Sequence, residues 1–296
     1  MDRKAKILEG LDIAHSRGVE IGPLHAPLVA KADGAVIYVD HADAAALRIK
    51  YAHDPIVGDV SKIVDVDAIW GEQSLAECLG ARAPVDYVIA SHVLEHVPDL
   101  ISWLHEVRSI LSPDGRLNLA LPDRRFTFDY LRRESGLADA LNAYLLKPRT
   151  PTPLAILDDI LNTTPVDNVQ AWSETIAPRR VPGRSVYALA AARDAIATGN
   201  YHDVHCWVFT CDSFLGLMAD IAEQELLPFA CAGFHPTARY EIEFFVSLRP
   251  CADPAEAAAS FRRHQADAAA PAPRGASRIA DLLRRAAARG RRPVKT

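Results

Sequence analysis

The sequence predicts an α/β fold: a doubly wound, seven-stranded, mostly parallel sheet with an antiparallel last strand, plus a helical cap insertion. Three observations predict it. Short apolar strand-like runs alternate with helical stretches from Val19 to Leu121, the rhythm breaks over residues 126–206, and the chain then resumes as helix, strand, short turn, strand. Alternation gives parallel strands because a crossover needs the length of a helix, whereas a short turn joins antiparallel neighbours.

Taken in order, the strands are Val19–Ile21, Val36–Val39, Lys62–Val64, Tyr87–Ala90 and Arg116–Ala120, each short and apolar as buried parallel strands are. A helix precedes the last of these, with Asp99 as its N-cap and Leu100, Trp103, Leu104, Val107, Ile110 and Leu111 at helical spacing. Pro113-Asp114-Gly115 is read as its stop and turn. Residues 126–206 carry helical pieces at 138–146 and 154–161 between Pro148, Pro151, Pro153 and Pro165. Regular structure resumes at Trp207-Val208-Phe209, followed by a helix capped by Thr210 and strands at Leu227–Ala232 and Tyr240–Leu248. The domains expected are a core at 1–125 and 207–250, the cap at 126–206, and an Ala/Arg-rich, partly disordered tail at 251–296. In that tail Ala270-Pro271-Ala272-Pro273 reads as a joint and Ser277 as the cap of a short helix ended by Gly290.

At 296 residues, 49% hydrophobic and 24% charged, the chain can bury a substantial core. It has no apolar run long enough to span a membrane and no signal-peptide start. Five cysteines without a C-x-x-C pair encode neither a disulfide framework nor a zinc ribbon, so a reducing cytoplasm is the simplest compartment. The net charge of −5 divides unevenly: ten Lys/Arg against Asp267 and Asp281 give residues 262–296 a charge of +8, which leaves −13 for residues 1–261. An acidic body argues against nucleic acid as a partner.

The first strand ends in Val19-Glu20-Ile21-Gly22-Pro23, and Asp40 closes the second strand twenty positions after Glu20. Ligands of doubly wound folds lie beyond the carboxyl ends of the strands, where a carboxylate after the second strand can accept both ribose hydroxyls. Gly22 lets the backbone approach a ligand without a side chain in the way. Asp86-Tyr87-Val88-Ile89-Ala90 then leads into Ser91-His92-Val93-Leu94-Glu95-His96, a polar loop placed to line the same pocket.

In these segments the chain resembles the class I S-adenosylmethionine-dependent methyltransferases, particularly the group with an L-E-H segment after the fourth strand. The likeness runs from about Val19 to Pro122 and resumes from Trp207 to Leu248. Within that group, E-I-G-P-L-H-x-P, S-H-V-L-E-H, L-P-D-R-R-F-T-F-D and D-V-H-C-W-V-F-T look like a bacterial subgroup associated with glycan biosynthesis. The resemblance implies S-adenosylmethionine as cofactor. It implies that Glu20, Gly22 and Pro23 meet its methionine end, Asp40 its ribose, Asp65 (with Asp67 as second choice) its adenine, and Ser91 and His92 the region beside the sulfonium. One departure stands out: Gly22-Pro23-Leu24-His25-Ala26 replaces G-x-G-x-G, and about thirteen residues separate Gly22 from the next strand, so the first helix must be short.

Methyl transfer is an in-line displacement, and a general base is required only for a hydroxyl or a protonated amine. His202, Asp203 and His205 combine two imidazoles with a carboxylate just before the chain rejoins the core, which makes them the candidate catalytic group. The same residues admit a structural reading, with His205 bonded to backbone. They also admit a metal site, but residues 202 and 205 of an extended segment face opposite ways and no further ligand is apparent, so no metal is expected. His96 is read as pocket-lining or structural. Arg124 and Arg125 leave the fifth strand where substrates enter and suit an anionic group as well as a solvated surface. The expectation is a methyltransferase acting on O or N of a small polar acceptor, a sugar derivative among the candidates, with neither nucleic acid nor membrane as partner and a homodimer left open. Two other functions stay open: a non-catalytic scaffold of the same fold, supported by the altered glycine loop, and a nicotinamide-dependent oxidoreductase, against which the missing G-x-G-x-x-G counts.

Overall fold

The structure is a computed structural model that describes residues 1–269 apart from Ile56 and Glu72, with side chains described to residue 266. The expected joint at Ala270–Pro273 and the helix from Ser277 to Gly290 lie outside the described residues.

Seven strands form one sheet: β1 (Arg17–Ile21), β2 (Ala35–Asp40), β3 (Ala68–Ile69), β4 (Val85–Ser91), β5 (Leu111–Pro122), β6 (Phe229–His235) and β7 (Glu243–Pro250). Their order is β3-β2-β1-β4-β5-β7-β6. β1 to β5 are parallel, and β7 is antiparallel to both β5 and β6. The strand order reverses at β1, between β2 and β4, and that reversal opens the crevice in which such folds bind ligands.

The two faces of the sheet are covered differently. On one, α4 (Leu100–Ile110) and α9 (Cys211–Glu223) bury apolar stripes against Val19, Val88, Leu119 and Val246. Asp99 accepts from the Ser102 amide and Thr210 from that of Ser213, so both expected N-caps are in place. On the other face the cover is thin: the five-residue helix α1 (Arg3–Ile7) and the loop after β1 supply Ile7, Leu28 and Val29 over Val36, Tyr38, Tyr87 and Phe245.

Several sequence expectations are corrected. No helix follows β1: residues 22–34 are a loop. The third strand is Ala68–Ile69, not Lys62–Val64, where Val60–Lys62 instead makes a 3-10 turn capped by Asp59. Ala68 is buried beside Val39, whereas residues 62 and 64 have no strand partner, so pairing rather than local propensity decided the register. Pro113-Asp114-Gly115 does not end the region in a turn but sits inside β5 as an irregularity, where residues 111 to 116 oppose only 85 to 87 of β4. Trp207-Val208-Phe209 is not a strand and makes a single bridge, Phe209 to Asp123.

The segment 126–206 carries α5 (Leu137–Leu146), α6 (Pro153–Asn162), α7 (Asn168–Trp172) and α8 (Arg184–Thr198). Beyond β7, residues expected to begin the tail form α10 (Pro254–Ala269), packed on α9 and β6. Ala257 and Phe261 are buried, the Ser260 hydroxyl accepts from the Cys231 amide, and Arg262 pairs with Asp220 and Glu223 of α9. An apolar stripe on an Ala-rich helix, met by carboxylates on the acidic body, orders this stretch. Among the described residues no helix is long and apolar enough to cross a membrane.

Candidate functional site

The candidate site lies at the carboxyl ends of β1, β2, β4 and β5. Glu20, next to last in β1, is buried, and its side chain accepts from the amides of Leu28 (2.7 Å) and Val29 (3.0 Å). Burial pushes its pKa up and these two amides pull it down, with burial the larger effect. Glu20 thus clamps the loop that replaces the glycine-rich turn, and both its oxygens are spent on that clamp. The Leu24 carbonyl accepts from the Val64 amide (2.9 Å), and the Asp67 carboxylate accepts from the Tyr38 amide (2.7 Å) and from Lys31, so the loop is tied at three points. Asp67 is therefore committed to structure. Gly22 has φ +68° and donates to the Val39 carbonyl (2.8 Å); a Cβ there would stand 3.1 Å from Val93, so the turn needs glycine on both grounds. Pro23 is buried in the turn beside it.

Asp40 ends β2. Its Oδ1 accepts from the His41 amide (2.8 Å) and pairs with the His41 ring (2.7 Å), while its buried Oδ2 has no partner. An unpaired, desolvated carboxylate oxygen at the end of the second strand, beside a turn with no side chain, fits the ribose of a bound nucleoside. Asp65 does not share that position. It precedes β3 instead of closing it, and its side chain is 96% exposed, because the third strand formed further along the chain.

The loop after β4 carries a denser set of groups. Ser91 Oγ accepts from Arg3 (2.7 Å), and Arg3 also pairs with Glu243 of β7 (2.6 Å). His92 has φ +54°, a backbone state that side chains rarely adopt. Its ring is clamped between Glu243 (2.9 Å) and Glu95 (3.1 Å), and although burial opposes the charge, these carboxylates raise its pKa to about 9. Glu95 is fully buried, and neither of its oxygens makes a directed hydrogen bond. Burial disfavours its ionisation, but the imidazoles of His92, His96 and His205 hold its pKa below the ordinary value.

The sequence-predicted trio does not assemble. His202 turns to Asp194 of α8 (2.9 Å), and Asp203 turns to Lys50 of α2 (Ala44–Lys50) at 2.9 Å and to His96 Nδ1 at 3.0 Å, an ion-pair distance without hydrogen-bond alignment. Against the cost of burial, His96 and Lys50 keep Asp203 strongly acidic. His205 is buried and bonds through Nδ1 to Asp129 (2.6 Å). His205 and His96 meet edge to face, centroids 4.7 Å apart. The meeting is enforced by backbone: the Glu95 carbonyl accepts from the amides of Cys206 (2.6 Å) and Trp207 (3.1 Å), and the Trp207 indole donates to the Val97 carbonyl (2.5 Å).

Behind this cluster Arg132, with 2% of its side chain exposed, bonds Asp129 (2.8 Å), Asp158 (2.8 Å), Asp159 (3.1 Å) and the His205 carbonyl (2.8 Å). It joins α6 to the segment that delivers His205. Arg125 makes a bidentate pair with buried Asp123 (2.9 and 2.6 Å), and Arg124 donates to the Tyr130 carbonyl (2.7 Å). Both engage their own loop in preference to standing free for an anion. Sequence reasoning missed Glu95 as a functional group, the Asp129–His205 pair and Arg132. The local signals were the spacings of three between His92 and Glu95 and between Asp129 and Arg132; the other contacts of Arg132 and His205 join residues 26 or more apart.

A family model described as "Methyltransferase domain" matches residues 12–173, more than half of the chain. No curated protein matches. Among solved structures the chain is similar to the CcbJ methyltransferase from Streptomyces caelestis, at 14% identity and TM-score 0.43 over 84% of this chain and 94% of that one. An S-adenosylmethionine-dependent methyltransferase from Mesorhizobium loti gives 17% and 0.38 over 80% and 92%. A putative zinc-dependent alcohol dehydrogenase from Rhodobacter sphaeroides gives 10% and 0.45 over 85% and 90%. These likenesses are weak, and the assignment rests on the domain match together with the strand order and the Asp40 geometry. The chain belongs to the methyltransferase-domain family, with S-adenosylmethionine as its cofactor.

Proposed function

We propose that the chain methylates an oxygen or nitrogen of a small, polar, sugar-derived acceptor held beneath residues 126–206. The observation that carries this reading is the Asp129–His205 pair, drawn from opposite ends of that segment onto the loop after β4. When bound, the cofactor supplies a methyl group already activated by its sulfonium; the protein has then to hold the acceptor in line and make it nucleophilic. Asp40 Oδ2 holds the ribose, the backbone at Gly22 admits the methionine end, and His92 stays fixed beside the sulfonium. His205, its ring oriented by Asp129, activates the acceptor. Asp203 steadies His96, and His202 stands apart. Arg124 and Arg125 shape the pocket edge. The acceptor is a small molecule, and the cytoplasm is the compartment this chemistry suits.

Calorimetric titration with S-adenosylmethionine and S-adenosylhomocysteine tests the donor: a folded sample that binds neither sinks the reading. His205→Ala tests the acceptor side and is expected to keep S-adenosylhomocysteine binding while turnover falls by about 100-fold or more, the usual scale of a lost proton-transfer group. Equal loss of both would make His205 a structural residue.

A further inference from the structure

Three ligand-type atoms converge where no metal was expected. One each from Glu95, His96 and His205 lie within 4.8 Å of one another. The expectation of no metal rested on His202 and His205 facing opposite ways and on the lack of further ligands; folding supplies two for His205, from a segment about 110 residues away.

We propose that Glu95, His96 and His205 bind a divalent transition-metal ion, a site that deepens the reading of this end of the sheet as the acceptor pocket. The Glu95 carboxylate is wholly buried and ion-paired with the His92 ring at 3.1 Å, yet neither oxygen has a directed hydrogen bond, so both keep lone pairs aimed at the cluster's other groups. Each imidazole has its Nδ1 turned to a carboxylate, His205 to Asp129 at 2.6 Å and His96 to Asp203 at 3.0 Å. For His205 that is the outer arrangement of a metal-bound histidine, in which a carboxylate on one ring nitrogen sets the tautomer and makes the other a better ligand; at His96 the carboxylate is an ion-pair neighbour without hydrogen-bond alignment. The donor set of two imidazoles and one carboxylate suits Zn²⁺, Mn²⁺ or Fe²⁺ and leaves coordination positions open. Donors about 2.1 Å from one cation stand about 3 to 4 Å apart, so the cluster draws in slightly on binding. The frame for this exists already: the two amides that bond the Glu95 carbonyl hold the His205 segment in register, and Arg132 fixes it from behind.

The consequence is chemical. A cation here lowers the pKa of an acceptor hydroxyl that it ligates, and the hydroxyl proton leaves to solvent. The oxygen lone pair then forms the bond to the methyl carbon as the carbon–sulfur bond breaks, which leaves neutral S-adenosylhomocysteine. In this deepened form His205 activates the acceptor as a ligand.

The test uses the full chain, stripped with a chelator and dialysed. Mn²⁺ is titrated with detection by electron paramagnetic resonance and Zn²⁺ by calorimetry, with S-adenosylhomocysteine binding measured on the same sample. One equivalent bound by the wild type is expected, with affinity at least about tenfold weaker in Glu95→Gln and about 10- to 100-fold weaker in Asp129→Asn, which keeps the ligand but loses its orienting charge. His15→Ala, an exposed ring paired with Asp12 outside the cluster, is expected to bind as the wild type does. A folded wild type that binds S-adenosylhomocysteine but neither ion overturns the metal site and leaves the donor reading standing. One equivalent of metal without S-adenosylhomocysteine binding supports the site and overturns the donor reading. Unchanged affinity in a folded Glu95→Gln assigns any bound ion elsewhere and overturns the proposal.

Discussion

The two halves of the site are built on opposite plans. At the ends of β1 and β2, Glu20, Gly22 and Asp40 are set by their own strands, and one carboxylate oxygen, Asp40 Oδ2, is left without a partner. At the ends of β4 and β5, Glu95, His96, Asp129, Asp203 and His205 come from three separated stretches and are held by ion pairs between those stretches, with the Glu95 oxygens and His96 Nδ1 short of a directed hydrogen bond. The difference teaches where each half draws its precision. The first is a strand-end geometry that needs only the sheet; the second exists only once residues 126–206 have docked, and Arg132 is the post that holds them.

The largest effect expected is therefore on that post. Arg132→Met leaves Asp129, Asp158 and Asp159 without their common cation and is predicted to cost about 3–5 kcal/mol, as breaking buried ion networks does. Urea unfolding checks this; a loss under about 1 kcal/mol would show that the acceptor half does not depend on it. Glu20→Ala probes the other half. It strips two amides of their acceptor and is predicted to cost about 2–4 kcal/mol and to expose residues 23–33 to limited proteolysis. Unchanged cleavage would mean that the Asp67 and Leu24 ties alone keep the loop shut. Next comes Asp40→Ala, expected to weaken S-adenosylhomocysteine about 10- to 100-fold by calorimetry while leaving the melting temperature nearly unchanged, since one of its oxygens serves no internal partner. A drop in stability without a change in affinity would move Asp40 from ligand to scaffold.

The smallest effect is one of pH. His92 and Arg3 lower the pKa of Glu243 from its ordinary 4.5 to about 2, outweighing the opposing effect of burial. A depressed carboxylate contributes stability that is complete above pH 4.5 and is lost as pH falls through about 2. The stability difference between wild type and Glu243→Gln should accordingly shrink on acidification across that window, stay flat from pH 4.5 to 6.5, and shrink again as His92 loses its proton toward pH 9. A difference that grew on acidification below pH 4.5 would contradict the pairing.

Much of the fold was legible because its signals are local. Asp99 and Thr210 cap helices that bury the stripes their spacing announced, and β1, β2 and β5 lie where apolar runs meet Gly22, Asp40 and Asp123, with β4 where its run meets Ser91. Less of the site was. Glu20 and Asp40 could be found from strand ends, but Asp65 was misplaced because a two-residue strand is chosen by pairing with β2 and leaves little mark on composition. His202, Asp203 and His205 were found as neighbours in the chain and then assigned to one another, whereas each chose a partner elsewhere: Asp194, His96 with Lys50, and Asp129.

By itself, then, the sequence determined the alternation that makes a parallel sheet, the antiparallel end, the caps and the acidic residues at the first two strand ends. Periodicity and capping act over a few residues and can be read there. Only the tertiary structure decided that Glu20 clamps a loop where a helix was expected, that Ala257, Ala258 and Phe261 of α10 join the core, and that Glu95, His96 and His205 converge. Those outcomes turn on desolvation and on partners brought from elsewhere in the chain. A buried carboxylate takes whatever cation or amide the packing delivers to it, and that delivery is a property of the folded chain.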